Sequence, residues 1–311
     1  MRLQTLSLFV AMCAVLVLDL SFAHGQKPGA KKEIPPPEAF NVTTKDGVIL
    51  HGTYFASTEG KTAIPVIMIP GWERSQNDLI GLADAMQKQG LAVVTVDLRG
   101  HGASKTIQGP GGQITEIDLG RVRSSDFDTF VTQDLEAIKG FLMEENNKGK
   151  LNIEMLTIVG CDYSAIAAMN FALQDWSWPI LPAIKQGQDV KGLILISPPK
   201  TFKGFNANMA IQSPVIKNQV SIMIIAGDQD RTSFSDAKRL FSSIDKIRQK
   251  SFTEPKDRTV FFAAKPSPLE GTALLADPRA NCIKDILFFT KVHLQDLQAN
   301  DPWTDRSSPL N

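Results

Sequence analysis

The sequence predicts an α/β domain in which a mostly parallel sheet of eight strands carries helices on both faces. Two observations lead to this class: a hairpin pattern opens the domain, and short apolar runs then alternate with stretches of helical periodicity. Hydrophobic residues make up 43% and charged residues 21%, which is ordinary for a globular chain. The 33 basic and 33 acidic residues balance, which removes the electrostatic argument for nucleic acid or an anionic membrane as the main partner.

The first 23 residues have the pattern of a secretory signal peptide. Arg2 precedes an apolar run over residues 6–18, and small residues stand before a cut after Ala23. Asp19 argues against the alternative, an uncleaved anchor, so we expect a secreted or periplasmic protein without a stable membrane anchor. Residues 24–38, rich in Lys, Gly and Pro, are expected to form a solvated lead-in.

Eight strands are expected. The first two, residues 40–44 and 48–55, are joined by Asp46-Gly47, a strong hairpin signal. The other six are rich in Val and Ile and uninterrupted by charge, as strands covered on both faces should be; they are residues 66–69, 92–96, 156–159, 193–196, 222–226 and 260–263.

Helices are expected between these strands, at residues 77–89, 127–145, 165–174, 234–249 and 272–294. Asp126 and Ser233 are predicted to cap two of them. About 25 residues separate the strands ending at Ile196 and starting at Ile222, which leaves no room for a large cap domain. The domain is therefore assigned to residues 39–294, followed by a polar, loosely held tail over residues 295–311.

Five strands of this pattern are followed by short motifs. They are Pro70-Gly71-Trp72 after the third strand, DLRGHGAS from Asp97 after the fourth, VGCDYSA from Val159 at the fifth, GDQD ending at Asp230 after the seventh, and EGT from Glu270 after the eighth. In this order they resemble the α/β-hydrolase superfamily, and most closely its serine-esterase, lysophospholipase-like and serine-aminopeptidase-like branch. The resemblance spans residues 39–294 and implies an α/β-hydrolase fold.

The resemblance also implies where a catalytic triad would stand. The nucleophile position of the G-x-S-x-G elbow holds Asp162, the acid position holds Asp230, and the histidine position holds Glu270. Haloalkane dehalogenases and epoxide hydrolases of this superfamily use an aspartate nucleophile, but they also need a histidine to activate water. The four histidines of the chain are each expected to be structural or solvated; they are His24, His51, His101 and His293.

Two alternatives concern the elbow itself. Ser164 would be the nucleophile only in a frame shifted by two residues, against which the Val159-Gly160 anchor argues. Asp162 could instead turn into the oxyanion hole, which the resemblance places at Gly71, Trp72 and Tyr163, and accept the N–H groups of the last two.

Three acids at the triad positions repel one another. Two like charges about 5 Å apart interact by roughly 3 kcal/mol at an effective dielectric constant near 20. One acid is therefore expected to have a raised pKa, unless a cation lies among them.

Three hypotheses for function follow. The first is a hydrolase-fold protein without hydrolase chemistry, whose pocket binds a small apolar or ester-like ligand or an unidentified protein partner. The second is an active hydrolase of esters, epoxides or haloalkanes with Asp162 as nucleophile or base. The third is a Ca²⁺ or Mg²⁺ site at the same acids.

No cofactor is expected. The glycine-rich residues 109–112 lack the strand, helix and Lys-Ser/Thr context of a phosphate cradle and are interpreted as a flexible connector. Cys161 and Cys282 are expected to be buried free thiols. Trp176 and Trp178 could line the pocket or serve in packing alone.

Overall fold

The structure, a computed structural model, describes residues 33–179, 181, 185–252 and 259–307. The predicted signal peptide and most of the predicted lead-in lie outside these residues. In the described part of the chain, no helix combines the length and apolar character that crossing a membrane requires.

A single sheet positions every motif found in the sequence. Within the described residues it has ten strands, which are β1 (Glu38–Thr43), β2 (Val48–Phe55), β3 (Pro65–Ile69), β4 (Ala92–Asp97), β5 (Thr106–Gln108), β6 (Ile114–Glu116), β7 (Leu156–Cys161), β8 (Val190–Ile196), β9 (Ser221–Gly227) and β10 (Val260–Lys265). Their order is β10-β9-β8-β7-β3-β4-β2-β5-β6, with β1 paired to β2. All eight predicted strands are present, and the predicted fold class is confirmed.

The parallel part of the sheet brings strand ends together. Neighbours from β10 to β4 run parallel, whereas β1, β2, β5 and β6 pair antiparallel. Parallel strands end at one edge, and in open α/β sheets ligands bind outside those carboxyl ends. The motifs after β3, β7, β9 and β10 therefore face the same region.

Helices cover both faces of the sheet. Within the described residues they are α1 (Ile80–Lys88), α2 (Phe127–Thr129), α3 (Glu136–Asn147), α4 (Tyr163–Ser177), α5 (Asn208–Gln212), α6 (Pro214–Asn218), α7 (Arg231–Ser251), α8 (Gly271–Ala276) and α9 (Cys282–His293), with a π-helical segment, Phe130–Leu135, joining α2 to α3. Alternate strand residues enter two separate cores: Ile67 and Ile158 pack toward α3, α4 and α7, whereas Met68 and Val159 pack toward α1, α8 and α9.

Three sequence-based expectations are wrong in detail. The glycine-rich connector is the turn of the β5–β6 hairpin, in which the Gly109 N–H donates to the Gln113 carbonyl at 2.9 Å. The helix predicted over residues 272–294 is two helices, because Pro278 lacks an N–H and forces Asp277 out of helical geometry. Asp230, rather than Ser233, caps α7.

The C-terminal tail is not loosely held through residue 307. The Arg306 guanidinium lies 2.9 Å from Glu154 and 2.8 Å from Asp189, and its side chain is only 3% exposed. The Trp303 indole donates to the Asn146 carbonyl at 3.2 Å. Local polarity predicted solvation, but ion pairs with distant residues attach the tail to the domain.

Candidate functional site

Asp162 stands at the sharp turn between β7 and α4. Its φ of 54° and ψ of −122° are backbone angles that L-residues rarely adopt. The turn is held because the Asp162 N–H donates to Ile196 at 2.9 Å and its carbonyl accepts from Ala165 at 3.0 Å. Gly160 is needed two residues earlier, since a Cβ there would lie 2.5 Å from the Ser164 carbonyl oxygen. The chain keeps the strained geometry of a nucleophile elbow with an aspartate at its apex.

The Asp162 carboxylate lies between two glycines. A Cβ added to Gly71 would lie 2.3 Å from its Oδ2, and one added to Gly271 would lie 1.9 Å from the same atom. Among the described residues, neither the Trp72 N–H nor the Tyr163 N–H donates to the carboxylate. The alternative in which the Asp162 carboxylate accepts from these two N–H groups is therefore wrong.

The environment of Asp162 favours its protonated form. Burial is the main cause and the charge of Glu270 the second, and together they raise the pKa of Asp162 to about 7, against the lowering effect of Arg74. The expected raised pKa within the acidic cluster is thus found at the elbow position. At neutral pH about half of these carboxyl groups carry a proton.

The other two acids, Asp230 and Glu270, each directly precede a helix. The Asp230 Oδ1 accepts from the N–H groups of Thr232 at 2.9 Å and Ser233 at 3.0 Å, which caps α7. Glu270 is the residue before α8, but its side chain makes no capping hydrogen bond. Within the described chain, no group of three or more His, Cys, Asp or Glu side chains is arranged to hold a metal ion, so the divalent-metal hypothesis is not supported.

A cavity of about 530 Å³ brings the three acids together. Its walls include Asp162, Asp230 and Glu270, so the positions that the sequence singled out do meet at one site. Trp72 and Phe202 supply an aromatic wall, and further apolar surface comes from Pro199, Pro268 and Leu269. A cavity of this size fits a small organic molecule.

Gly71 and Tyr163 lie behind this cavity rather than in its wall. The Gly71 N–H donates to the Thr272 hydroxyl at 2.8 Å, which ties the loop after β3 to α8. Tyr163 is 1% exposed and packs edge-on against Trp72, with ring centroids 5.2 Å apart. Both residues support the cavity wall, and any role in stabilising an oxyanion stays a prediction.

The described residues provide no histidine in the cavity wall. His101 is 1% exposed, stacks on Tyr163 at 5.4 Å, and has Nδ1 3.1 Å from the Arg99 carbonyl oxygen. Burial lowers its pKa, which keeps the ring neutral. His101 therefore acts as a core residue beneath Trp72.

Other candidate side chains are excluded by their positions. Ser164 is fully buried, and its hydroxyl accepts from the Cys161 N–H at 2.7 Å, so it cannot act as a nucleophile. Cys161 and Cys282 are buried free thiols, as expected. Neither Trp176 nor Trp178 lines the cavity. Trp176 packs against the core and donates to the Val190 carbonyl, as the packing alternative expects, whereas Trp178 is 41% exposed.

Sequence reasoning missed three polar residues of the cavity. Ser197 and Ser233 are 2% and 7% exposed, and no described residue is a hydrogen-bond partner of either hydroxyl. Arg74 also lines the cavity, three residues after Gly71. Ser197 directly follows a predicted buried strand, and ligands bind at the carboxyl ends of such strands, so this position was a signal that could have found Ser197.

Comparison with known proteins agrees with this architecture. The family model described as alpha/beta hydrolase fold matches residues 64–243, which is more than half of the chain. No curated protein matches the sequence significantly. The match covers the loop after β3, the turn at Asp162 and the strand that leads to Asp230.

Solved structures show the same fold at low sequence identity. An esterase from Pyrococcus furiosus has a TM-score of 0.57 at 15% identity, over 83% of this chain and 91% of that one. A dienelactone hydrolase from Anabaena variabilis has a TM-score of 0.52 at 13% identity, over 84% and 100%. An alpha-beta serine hydrolase homologue from Coxiella burnetii has a TM-score of 0.50 at 19% identity, over 80% and 95%. With the family match, they show that the chain belongs to the α/β-hydrolase fold family.

Proposed function

We propose that this protein is an exported member of the family that binds a small ligand in its elbow cavity and has lost triad hydrolysis. Export is supported by the signal-peptide pattern of residues 1–23. An apolar or ester-like group on the ligand fits the wall formed by Trp72, Phe202 and Leu269. Kinship with esterases, lysophospholipases or serine aminopeptidases in particular stays a prediction.

One observation carries the proposal: the elbow residue has no catalytic partner. The Asp162 carboxylate makes no hydrogen bond or salt bridge with any described residue. Asp230 uses its carboxylate to cap α7, and Glu270 stands where a base would be needed. Because residues of a triad act as a unit, losing the base alone removes most of the rate acceleration.

A second candidate is an active hydrolase, and the strained backbone of Asp162 favours it. Strain at a single residue persists where the fold over-determines it, as at active sites. A carboxyl group with a pKa of about 7 also suits a general base near neutral pH. The same pKa weakens Asp162 as a nucleophile, because a protonated carboxyl group cannot attack a substrate and about half of the molecules are protonated at neutral pH.

The proposal is tested by screening for turnover. The full-length chain, its Asp162→Asn variant and an Asp84→Asn control are assayed on p-nitrophenyl acetate, an epoxide and a haloalkane. Asp84 is an exposed residue of α1 that pairs with Lys88, and neither residue lines the cavity. We expect that none of the three proteins hydrolyses any of these substrates faster than buffer alone does. Turnover by the wild type and the control that Asp162→Asn abolishes would establish the active hydrolase instead.

A further inference from the structure

The charge of the cavity wall is strongly unbalanced. Four acidic residues line it and Arg74 is the basic residue of the lining, with both Arg74 and Glu270 exposed; the acids are Asp162, Asp230, Asp236 and Glu270. Exposed charges are screened by salt more than buried ones. The wall therefore presents a net negative potential to whatever enters the cavity.

Acceptor groups in this wall are left without donors. Among the described residues, the carboxylates of Asp162 and Glu270 take part in no hydrogen bond or salt bridge. The buried hydroxyls of Ser197 and Ser233 have no partner either. Ser197 also has a φ of 50°, a conformation that non-glycine residues rarely adopt. Glu270 is exposed, but Asp162 is only partly exposed and the two serine hydroxyls are buried. Buried polar groups are normally paired, so these three point to a ligand that donates hydrogen bonds.

The aromatic wall already holds a cation. The Lys203 ammonium lies 4.1 Å from the Trp72 ring centroid and 5.7 Å from that of Phe202. Both distances are within the range at which an ammonium is attracted to a ring face. The rings that line the cavity thus offer a surface compatible with an organic ammonium group.

We infer that the cavity takes a small organic ammonium cation carrying an apolar group, an inference that rests on the proposed binding function. The Asp162 and Glu270 carboxylates neutralise the ammonium, the Ser197 and Ser233 hydroxyls accept from its N–H groups, and the apolar group contacts the aromatic wall. An anion would meet the unpaired carboxylates, and a neutral ester would leave them without a partner.

Three probes that share one ring and differ in charge test this inference. Benzylammonium, benzyl alcohol and benzoate are titrated at pH 8 into the ¹⁵N-labelled full-length chain. The chain has four tryptophans, so a Trp72→Phe variant identifies the Trp72 indole signal that reports on the cavity. We expect benzylammonium to shift this signal and to bind at least about tenfold more tightly than the other two probes.

Two charge variants with opposite expected effects separate electrostatics from misfolding. Asp162→Asn should weaken benzylammonium binding by about tenfold and leave benzyl alcohol unchanged. Arg74→Gln should strengthen benzylammonium binding by about threefold, since it removes a repelling charge. The Asp84→Asn control should bind all three probes as the wild type does, and general loss of structure cannot strengthen binding.

The outcomes distinguish this inference from the proposed function. Benzyl alcohol or benzoate binding as tightly as benzylammonium would overturn the cationic class while a binding function stands. Absence of any benzylammonium shift, or an affinity unchanged in Asp162→Asn, would overturn it as well. Turnover lost in Asp162→Asn would instead overturn the proposed function, whatever the titration gives.

Discussion

Two regions of this molecule contain clustered acidic side chains, and the pairing of these acids differs between them. In the first, which we call the tail network, three acids meet three bases: Glu154, Asp175 and Asp189 meet Lys139, Lys185 and Arg306. The Lys139 ammonium lies 2.5 Å from Asp175 and 2.6 Å from Asp189. In the second region, the elbow cavity, two of the four acids have no partner among the described residues.

The difference separates charges that hold the fold from charges left for a ligand. A buried charge is tolerated when it is paired and hydrogen-bonded, as in the tail network. In the cavity Asp162 is kept near a like charge and in a strained turn, which costs stability. This fold can pair its buried acids, so the unpaired and largely buried Asp162 at the elbow is best explained by function.

The largest effect is expected in the tail network. Lys139→Met leaves Asp175 and Asp189 without their shared cation and should cost about 3–5 kcal/mol in the free energy of unfolding. Lys148→Met is the matched control, because Lys148 pairs with Glu145 near the surface and its side chain is 56% exposed. Urea denaturation measures both variants. Equal losses would show that the tail network is no more than a set of surface pairs.

At the cavity, removing a charge should stabilise the protein. The pKa of Asp162 is about 7 in the folded state, raised by burial and Glu270 and lowered by Arg74, against about 3.9 unfolded. The folded state thus binds a proton that the unfolded state releases, and wild-type stability falls as pH rises from about 4 to 7. The asparagine of Asp162→Asn does not titrate. The free energy of unfolding of this variant should therefore exceed that of the wild type by roughly 2–4 kcal/mol at pH 8 and by almost nothing at pH 4.

Urea denaturation of both proteins across this pH range measures the difference. A gap between Asp162→Asn and wild type that stays constant with pH would mean that the Asp162 carboxyl does not ionise in this window. The comparison between the two regions would then lose its electrostatic basis.

A smaller effect is expected at the glycine that makes room for Asp162. Gly271 has a φ of 51°, and a Cβ there would lie 1.9 Å from Asp162 Oδ2, so Gly271→Ala should cost about 1–2 kcal/mol. Gly81→Ala is the control, because nothing lies within 4 Å of a Cβ there and alanine favours the α1 helix. Thermal unfolding should move in opposite directions for the two variants. If both variants were destabilised, the result would not support a close approach of Gly271 to the Asp162 carboxylate as the cause.

The smallest effect is expected at a surface pair. Asp84 and Lys88 lie 2.6 Å apart on α1, with side chains 48% and 61% exposed. Asp84→Asn should change the free energy of unfolding by less than about 0.5 kcal/mol, since exposed pairs contribute little. A loss comparable to that of Lys139→Met in the same urea series would break the distinction between buried and exposed pairs.

Much of the fold could be predicted because its signals are local. Uninterrupted apolar runs predict the strands, and the resemblance of the motifs after them to the α/β-hydrolase superfamily singles out Asp162, Asp230 and Glu270, which do line one cavity. The short β5–β6 hairpin has too few residues for an apolar pattern, so glycines alone were visible there.

The rest depends on contacts between distant residues. Nothing near Arg306 in the sequence indicates its pairing with Glu154 and Asp189, more than a hundred residues away. The direction of the Asp162 carboxylate is set by Gly71 and Gly271, which come from other loops. A local sequence pattern does not contain these contacts between distant residues.

The ionisation of Asp162 tests the central claim most directly, because both proposals require an unpaired acid at the elbow. The carboxyl ¹³C signal, assigned by its loss in Asp162→Asn, is followed by NMR from pH 4 to 9 with and without benzylammonium. We expect a pKa near 7 in the free protein and a lower pKa with benzylammonium bound, since a cation favours the carboxylate. A pKa near 4 that the cation leaves unchanged would contradict the account.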